Sequence, residues 1–126
     1  MKTFTGGTYK VEFRSNWGRG VGYMHLSDGR AVGGDGRTRW LGVYLQNQET
    51  GITLLVWVVT VPAGVRCVFG KVANREWHFF AWTELQRERD SGSVAVQVST
   101  GDCVQADYSL VRNSAGPARE VNKQRN

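Results

Sequence analysis

Hydrophobic and polar side chains alternate along most of the chain, and helical spacing is nearly absent. Clusters of Gly, Asp, Asn and Ser interrupt the alternation at intervals typical of strands joined by tight turns. The pattern predicts eight strands, over residues 7–15, 20–27, 30–35, 38–46, 51–61, 75–84, 93–100 and 103–112. Since closure removes exposed sheet edges, we predict an all-β fold, an eight-stranded up-and-down antiparallel barrel.

Glycine marks the turns of the first third of the chain, where ten of the sixteen glycines fall within 42 residues. Glycine permits positive φ at turns and relieves crowding where strands bend. Residues 62–74 and the charged segment 85–92 are predicted connections. Residues 1–112 therefore form one predicted barrel domain. Residues 113–126 lack core-forming side chains and are predicted to be a disordered basic tail.

The predicted interior of the barrel follows from the alternation of apolar side chains. Its candidate lining residues are Tyr9, Val11, Phe13, Val43, Val56 and Phe79. These side chains either fill the interior by close packing or line a cavity for one small apolar ligand. The sequence leaves both possibilities open.

Strands four to six differ from the others because both of their faces are apolar. A barrel has one interior, so the second apolar face requires a cover. A second subunit is the predicted cover, and a homodimer is expected. The candidate interface residues are Trp40, Tyr44, Trp57, Phe80 and Trp82. Coverage by the 62–74 loop is the alternative.

Candidate chemistry is sparse. His25 and His78 are the two histidines and stand apart from clustered carboxylates, which argues against a metal site. No G-x-S-x-G nucleophile motif occurs, and the glycine-rich run at 33–36 opens a strand instead of a phosphate-binding helix. We therefore predict a non-enzymatic protein without metal or cofactor.

Charge and composition narrow the expected partners. The net charge of +5 and the pI near 9.6 admit nucleic acid as a partner. Seven of the fourteen aromatic residues, however, lie on predicted strands four to six, and six of these seven fall within residues 41–112, where acidic residues slightly outnumber basic ones, so we predict no nucleic-acid partner. Cys67 and Cys103 lack metal or redox spacing. Without an apolar leader or membrane-length segment, we expect a cytoplasmic protein with free, mostly buried thiols and no membrane contact.

Three motifs in order resemble the GrlR-type negative regulators of bacterial type III secretion. They are Gly7-Thr8-Tyr9, Asp28-Gly29-Arg30-Ala31-Val32-Gly33-Gly34-Asp35 and Trp40-Leu41-Gly42-Val43-Tyr44. The likeness covers roughly the first third of the chain and continues as similar strand spacing to about residue 112. It implies a small cytosolic homodimer with a lipocalin-like (calycin-like) barrel that binds a transcriptional activator without catalysis.

Two further details follow from the resemblance. Gly7-Thr8-Tyr9 is similar to the G-x-W opening of lipocalins, which implies that Arg112 is the late arginine that stacks there. The family prototype binds its activator through four acidic residues in a loop between central strands. The corresponding loop here, residues 47–51, keeps only Glu49. Gln48 and Glu49 are therefore the candidate partner-binding positions, and a different transcriptional regulator is expected.

These observations leave two functional hypotheses. The first is a homodimeric regulatory protein that acts by protein–protein binding. The alternative is a carrier or sensor that holds a small apolar molecule or lipid inside the barrel.

Overall fold

The computed structural model describes residues 6–68, 70–86 and 90–111. Eight antiparallel strands form a closed barrel in sequence order, and β1 pairs with both β2 and β8. The strands are β1 (Gly7–Ser15), β2 (Gly18–Ser27), β3 (Arg30–Gly34), β4 (Arg39–Gln46), β5 (Thr53–Val61), β6 (Trp77–Leu85), β7 (Ser91–Val98) and β8 (Cys103–Leu110). The predicted eight-stranded up-and-down barrel is confirmed, and each strand end lies within two residues of its predicted position.

The connections lie alternately at the two ends of the barrel. One end, here called the loop end, carries residues 16–17, 35–38, 62–76 and 99–102. The opposite end is called the tyrosine end because Tyr9 and Tyr108 lie there, near the start of β1 and the end of β8. Its β2–β3 turn has positive φ at Asp28 and Gly29, as the tight hairpin requires.

The barrel closes where β8 lies between β1 and β7. At this seam the Arg14 Nη1 donates to Asp107 Oδ2 at 2.8 Å, and the Ser93 hydroxyl donates to Asp107 Oδ1. These two hydrogen bonds, Ser93 first, hold the pKa of Asp107 below its usual value. Because the carboxylate is solvent-exposed, the seam depends mainly on its backbone ladder.

Inward glycines make room for large aromatic side chains. Gly42 pairs across the sheet with Trp57, and Gly33 pairs with Trp40. A Cβ atom at Gly42 would lie 2.1 Å from the carbonyl oxygen of Val56 and 2.6 Å from the Trp57 Cβ. The glycines of the first third therefore do more than form turns, because they also let indole rings occupy the interior.

The hydrophobic core is the barrel interior, and every strand contributes to it. Its buried members are Tyr9, Met24, Leu26, Ala31, Trp40, Leu55, Val59, Val61, Cys67, Phe79, Ala81, Leu85, Val96, Val98, Val104, Ala106 and Tyr108. Val11, Phe13, Tyr44 and Trp57 pack against this cluster.

The faces of β4 and β5 are the reverse of those predicted. Trp40 is 7% exposed and lies inside, whereas Val43 is 53% exposed and lies outside. Tyr44 and Trp57 likewise pack against the core, and Val56, the cross-strand partner of Val43, lies outside. Where both faces of a strand are apolar, alternation alone does not say which faces inward. Here the aromatic rings face inward because the glycines opposite them leave space.

Within the described residues, no helix is long and apolar enough to cross a membrane. The predicted tail, residues 113–126, and Arg112 lie outside the described residues.

Candidate functional site

The outward side chains of β4, β5 and β6 form a contiguous apolar surface, here called the β4–β6 face. The strand register aligns Leu41 with Val58 and Phe80, and in the next row Val43 with Val56 and Trp82. A third row aligns Leu45 and Leu54 with Glu84. The eight apolar members are Leu41, Val43, Leu45, Leu54, Val56, Val58, Phe80 and Trp82.

Several side chains of this face are strongly exposed. Leu41 is 64% exposed, Leu45 69% and Phe80 55%. Three strands about 4.8 Å apart and three rows of side chains about 6.7 Å apart cover roughly 15 by 20 Å. Single exposed apolar side chains are ordinary, whereas a contiguous apolar patch is a candidate interaction surface.

The loop at residues 62–76 lies across the loop end of the barrel. Val65 and Val68 pack against the core, and Cys67 is buried. The Ser15 hydroxyl donates to the Val68 carbonyl oxygen, and the Lys71 ammonium lies 4.6 Å from the Trp77 ring centroid. The loop therefore closes one end of the barrel. Of the chain that the structure describes, no segment covers the β4–β6 face.

The predicted interface residues divide between two places. Phe80 and Trp82 lie on the β4–β6 face, as predicted. Trp40, Tyr44 and Trp57 lie inside the barrel, so their predicted outward placement is corrected. Sequence reasoning missed the aliphatic members of the face on β4 and β5. The signal that could have found them is the spacing that places Gly33 and Gly42 opposite tryptophan.

The barrel interior contains an apolar cavity of about 110 Å³. Tyr9, Val11, Phe13 and Phe79 line it, as predicted from the sequence. The predicted lining residues Val43 and Val56 do not, because both point outward. Trp40, Trp57, Leu55, Val59, Ala81 and Ala106 are among the other lining residues. The interior is therefore mostly filled by side chains, with one small apolar space left.

Hydrogen bonds satisfy the polar groups that reach the loop end of the cavity. The Trp40 Nε1 donates to the Thr38 hydroxyl at 2.9 Å. The Thr38 hydroxyl and backbone N–H both donate to Asp35 Oδ1, at 2.9 and 2.7 Å. This chain of hydrogen bonds fixes the indole ring inside the barrel and compensates for the burial of its N–H group.

At the tyrosine end, the rings of Tyr9 and Tyr108 meet edge to face with centroids 6.0 Å apart. Burial raises the pKa of Tyr9 to about 12, and the nearby Asp90 carboxylate adds to the effect. Tyr9 is uncharged at neutral pH, as any tyrosine is, and the raised pKa keeps it uncharged further into the alkaline range. The cavity thus presents an uncharged phenol at this end, the hydrogen-bonded Asp35 and Thr38 at the loop end, and mainly apolar walls between them.

The candidate partner-binding loop is an ordered turn at the tyrosine end. The Asn47 side-chain oxygen accepts hydrogen bonds from the backbone N–H groups of Glu49 and Thr50, at 2.9 and 3.1 Å. Gln48 and Glu49 are both exposed. This turn follows Leu45 at the edge of the β4–β6 face, so a partner could contact the turn and the face together.

The remaining reactive side chains do not converge. His25 is hydrogen-bonded to the Thr8 hydroxyl on β1, and His78 to the Thr60 hydroxyl on β5. Residues 6–68, 70–86 and 90–111 contain no group of three side chains that could hold a metal ion. Cys67 and Cys103 are unbridged thiols, and Cys103 is exposed, in contrast to the expected burial.

No protein-family model matches the chain, and no curated protein matches it either.

Proposed function

We propose that the protein is a non-enzymatic, homodimeric regulatory protein that acts by protein–protein binding in the bacterial cytoplasm. The observation that carries this proposal is the exposed, contiguous apolar β4–β6 face. The sequence resemblance to GrlR-type regulators of type III secretion supports the same function. Two of its three motifs lie outside the face, and the third, on β4, includes the face residues Leu41 and Val43.

The size of the face fits the centre of a dimer interface. A specific interface of standard size buries about 800 Å² on each partner, with an apolar centre and a polar rim. The apolar area estimated above is roughly 300 Å² of sheet, and charged or polar residues such as Arg39 and Glu84 border it. Because a two-fold dimer uses the same patch twice, one such face on each copy is sufficient.

Sedimentation velocity at micromolar concentration tests the dimer. Val56 is at the centre of the face, and Val56→Lys would bury an unpaired charge in the interface. We expect the wild type to sediment as a dimer and the variant to dissociate at least about tenfold more readily. Val21→Lys is the matched control, because Val21 is an exposed outward valine on β2. A wild-type monomer would overturn the homodimer.

The regulatory half of the proposal requires a protein partner at Gln48 and Glu49. Purification from the native host should retain a DNA-binding transcriptional regulator in stoichiometric amount, and Glu49→Lys should reduce its retention. The matched control Glu12→Lys changes an exposed carboxylate on β1. Retention of no such regulator, or equal loss in both variants, would count against this half.

A second candidate function is supported by the apolar cavity. Ligand pockets usually enclose about 300–1,000 Å³, whereas an engineered apolar cavity of about 150 Å³ binds benzene. A cavity of about 110 Å³ therefore suits a small aromatic molecule and is too small for a fatty acid. Native mass spectrometry of freshly purified protein and calorimetric titration with benzene and indole test this function. Binding that Ala106→Val weakens would support it, and no bound or titrated ligand would overturn it.

A further inference from the structure

The β4–β6 face carries opposite charges at two diagonal corners. Arg39 is the first residue of β4, at the loop end, and Glu84 lies near the end of β6, at the tyrosine end. The register places Arg39 in the same row as Thr60 and His78, six residues before Glu84 along β6. The two charges are therefore roughly 20 Å apart along the strands and about 10 Å apart across them.

Both side chains point outward with the apolar members of the face. Arg39 shares its side of β4 with Leu41 and Val43, and its side chain is 78% exposed. Glu84 shares its side of β6 with Phe80 and Trp82 and is also exposed. The face is thus an apolar centre between one basic and one acidic corner. The remaining two corners are Leu45 and His78.

We propose that two copies of the chain pack through their β4–β6 faces in one orientation, with Arg39 of each copy opposite Glu84 of the other. This inference rests on the proposed homodimer and adds its geometry. A two-fold axis in the plane of the interface exchanges equivalent positions. When that axis crosses the Arg39–Glu84 diagonal at right angles, two symmetric ion pairs flank the apolar centre.

The other simple orientations place the charges poorly. An axis parallel to the strands sets Glu84 opposite Leu45, and an axis perpendicular to the strands sets Arg39 opposite Leu45. Each leaves a charge against an apolar side chain, which is unfavourable when the interface excludes water. The diagonal arrangement instead places Arg39 of each copy opposite Glu84 of the other. Complementary rim charges of this kind set the register of an interface.

Arg39 forms an ion pair within its own chain, and breaking that pair takes little free energy. Its Nη2 lies 3.9 Å from Glu76 Oε1, and both side chains are more than half exposed. An exposed pair at this distance contributes little stability. Arg30, beside Val43 on β3, lies one strand outside the face. Because one face carries both halves of the proposed ion pair, a second copy fits it better than an unrelated protein.

Charge reversal tests the orientation. Arg39→Glu and Glu84→Arg should each weaken the dimer by at least about tenfold in sedimentation equilibrium, since each places two pairs of like charges in contact. The double variant Arg39→Glu/Glu84→Arg should recover to within about threefold of the wild type. An equimolar mixture of the two single variants should form heterodimers, because both ion pairs are then complementary. Arg19→Glu, on β2, is the control for charge alone.

The outcomes separate the orientation from the dimer itself. Wild-type dimers that neither single variant weakens, or a double variant that does not recover, would overturn the orientation and leave the homodimer intact. A wild-type monomer would overturn both. Circular dichroism and the thermal midpoint of each variant establish that a lost dimer is not a lost fold.

Discussion

Individual glycines decide where the aromatic rings lie. Gly22 on β2 faces the interior beside the Trp40 indole. A Cβ atom there would lie 2.4 Å from Trp40 Cη2 and 2.6 Å from the Gly34 carbonyl oxygen. Neither the ring nor the backbone can move freely, because hydrogen bonds through Thr38 fix the indole. At this position a single hydrogen atom is the only side chain that the core accommodates.

Gly22→Ala should therefore destabilise the fold by about 1–3 kcal/mol, the usual cost of overpacking a core. Urea unfolding at a fixed protein concentration measures the change. Val21→Ala is the matched control, since Val21 precedes Gly22 and points to solvent, and its effect should be within about 0.5 kcal/mol. Equal effects of the two substitutions would show that the interior tolerates a methyl group at Gly22.

The raised pKa of Tyr9 predicts that the stability of the fold depends on pH in the alkaline range. Its pKa is about 12 in the folded barrel, compared with 10.0 for an ordinary tyrosine. Between these values the unfolded chain has lost the phenolic proton and the folded chain has kept it. Loss of the proton stabilises the unfolded state relative to the folded state, so the free energy of unfolding falls as pH rises from about 10 to 12.

Tyr9→Phe removes this contribution, so its stability should fall less steeply than that of the wild type over the same pH range. Urea unfolding at several pH values compares the two proteins, and tyrosinate absorbance reports the titration directly. Equal slopes, or a Tyr9 that ionises near pH 10, would contradict a buried phenol. Tyr23→Phe controls for removal of an exposed tyrosine.

At the scale of elements, the two faces of β4 and β5 lie in different environments. The inner faces place Trp40, Tyr44 and Trp57 in the core, and the outer faces place aliphatic side chains on the surface. The long connection between β5 and β6 is the one predicted alternative cover for that surface. It closes the loop end instead, because its Cys67 and Val68 are apolar enough to pack into the barrel mouth.

Ser15 fastens this connection to β1, since its hydroxyl donates to the Val68 carbonyl oxygen. Ser15→Ala removes that hydrogen bond and the one that the Ser15 oxygen accepts from the Trp17 backbone N–H, and it should lower stability by about 1 kcal/mol. Amide hydrogen exchange should quicken within residues 64–73 and change little in β5. Ser27→Ala, at an exposed position near the opposite end, is the control. Unchanged exchange in the loop would show that its other contacts hold it without this hydrogen bond.

At the scale of the whole molecule, the described residues form a closed barrel with an apolar β4–β6 face that none of them covers. The strands close into a barrel, in which β6 and β7 pair only at Ala81–Val98 and Trp82–Gln97. The β4–β6 face permits association by packing of one barrel wall against another. The interior is too full for a large ligand, which favours the surface over the cavity as the functional site.

A dimer that forms only from folded copies makes thermal stability depend on concentration. Raising the protein concentration tenfold should raise the thermal midpoint by about 2–5 °C. Differential scanning calorimetry over a hundredfold range measures this, and Val56→Lys should lose the dependence. A midpoint that is constant for the wild type would contradict dimerisation in that range.

The sequence by itself determined the eight strands, their order and their closure into a barrel. Alternation and glycine-rich turns are local signals, and the antiparallel pairing of neighbouring strands follows directly from short connections. The sequence also showed that strands four to six have two apolar faces. On β6 it predicted the inward side chain Phe79 and the outward side chains Phe80 and Trp82 as the structure has them.

Only the tertiary structure decided which face of β4 and β5 is the interior. The choice depends on the space that the neighbouring strand leaves for each side chain. Gly33 lies opposite Trp40 and Gly42 lies opposite Trp57, and Gly42 and Trp57 are distant in the sequence. The volume of the cavity and the docking of the 62–76 loop also depend on how side chains from several strands fill one interior. Such packing is a property of the closed barrel, and no local pattern specifies it.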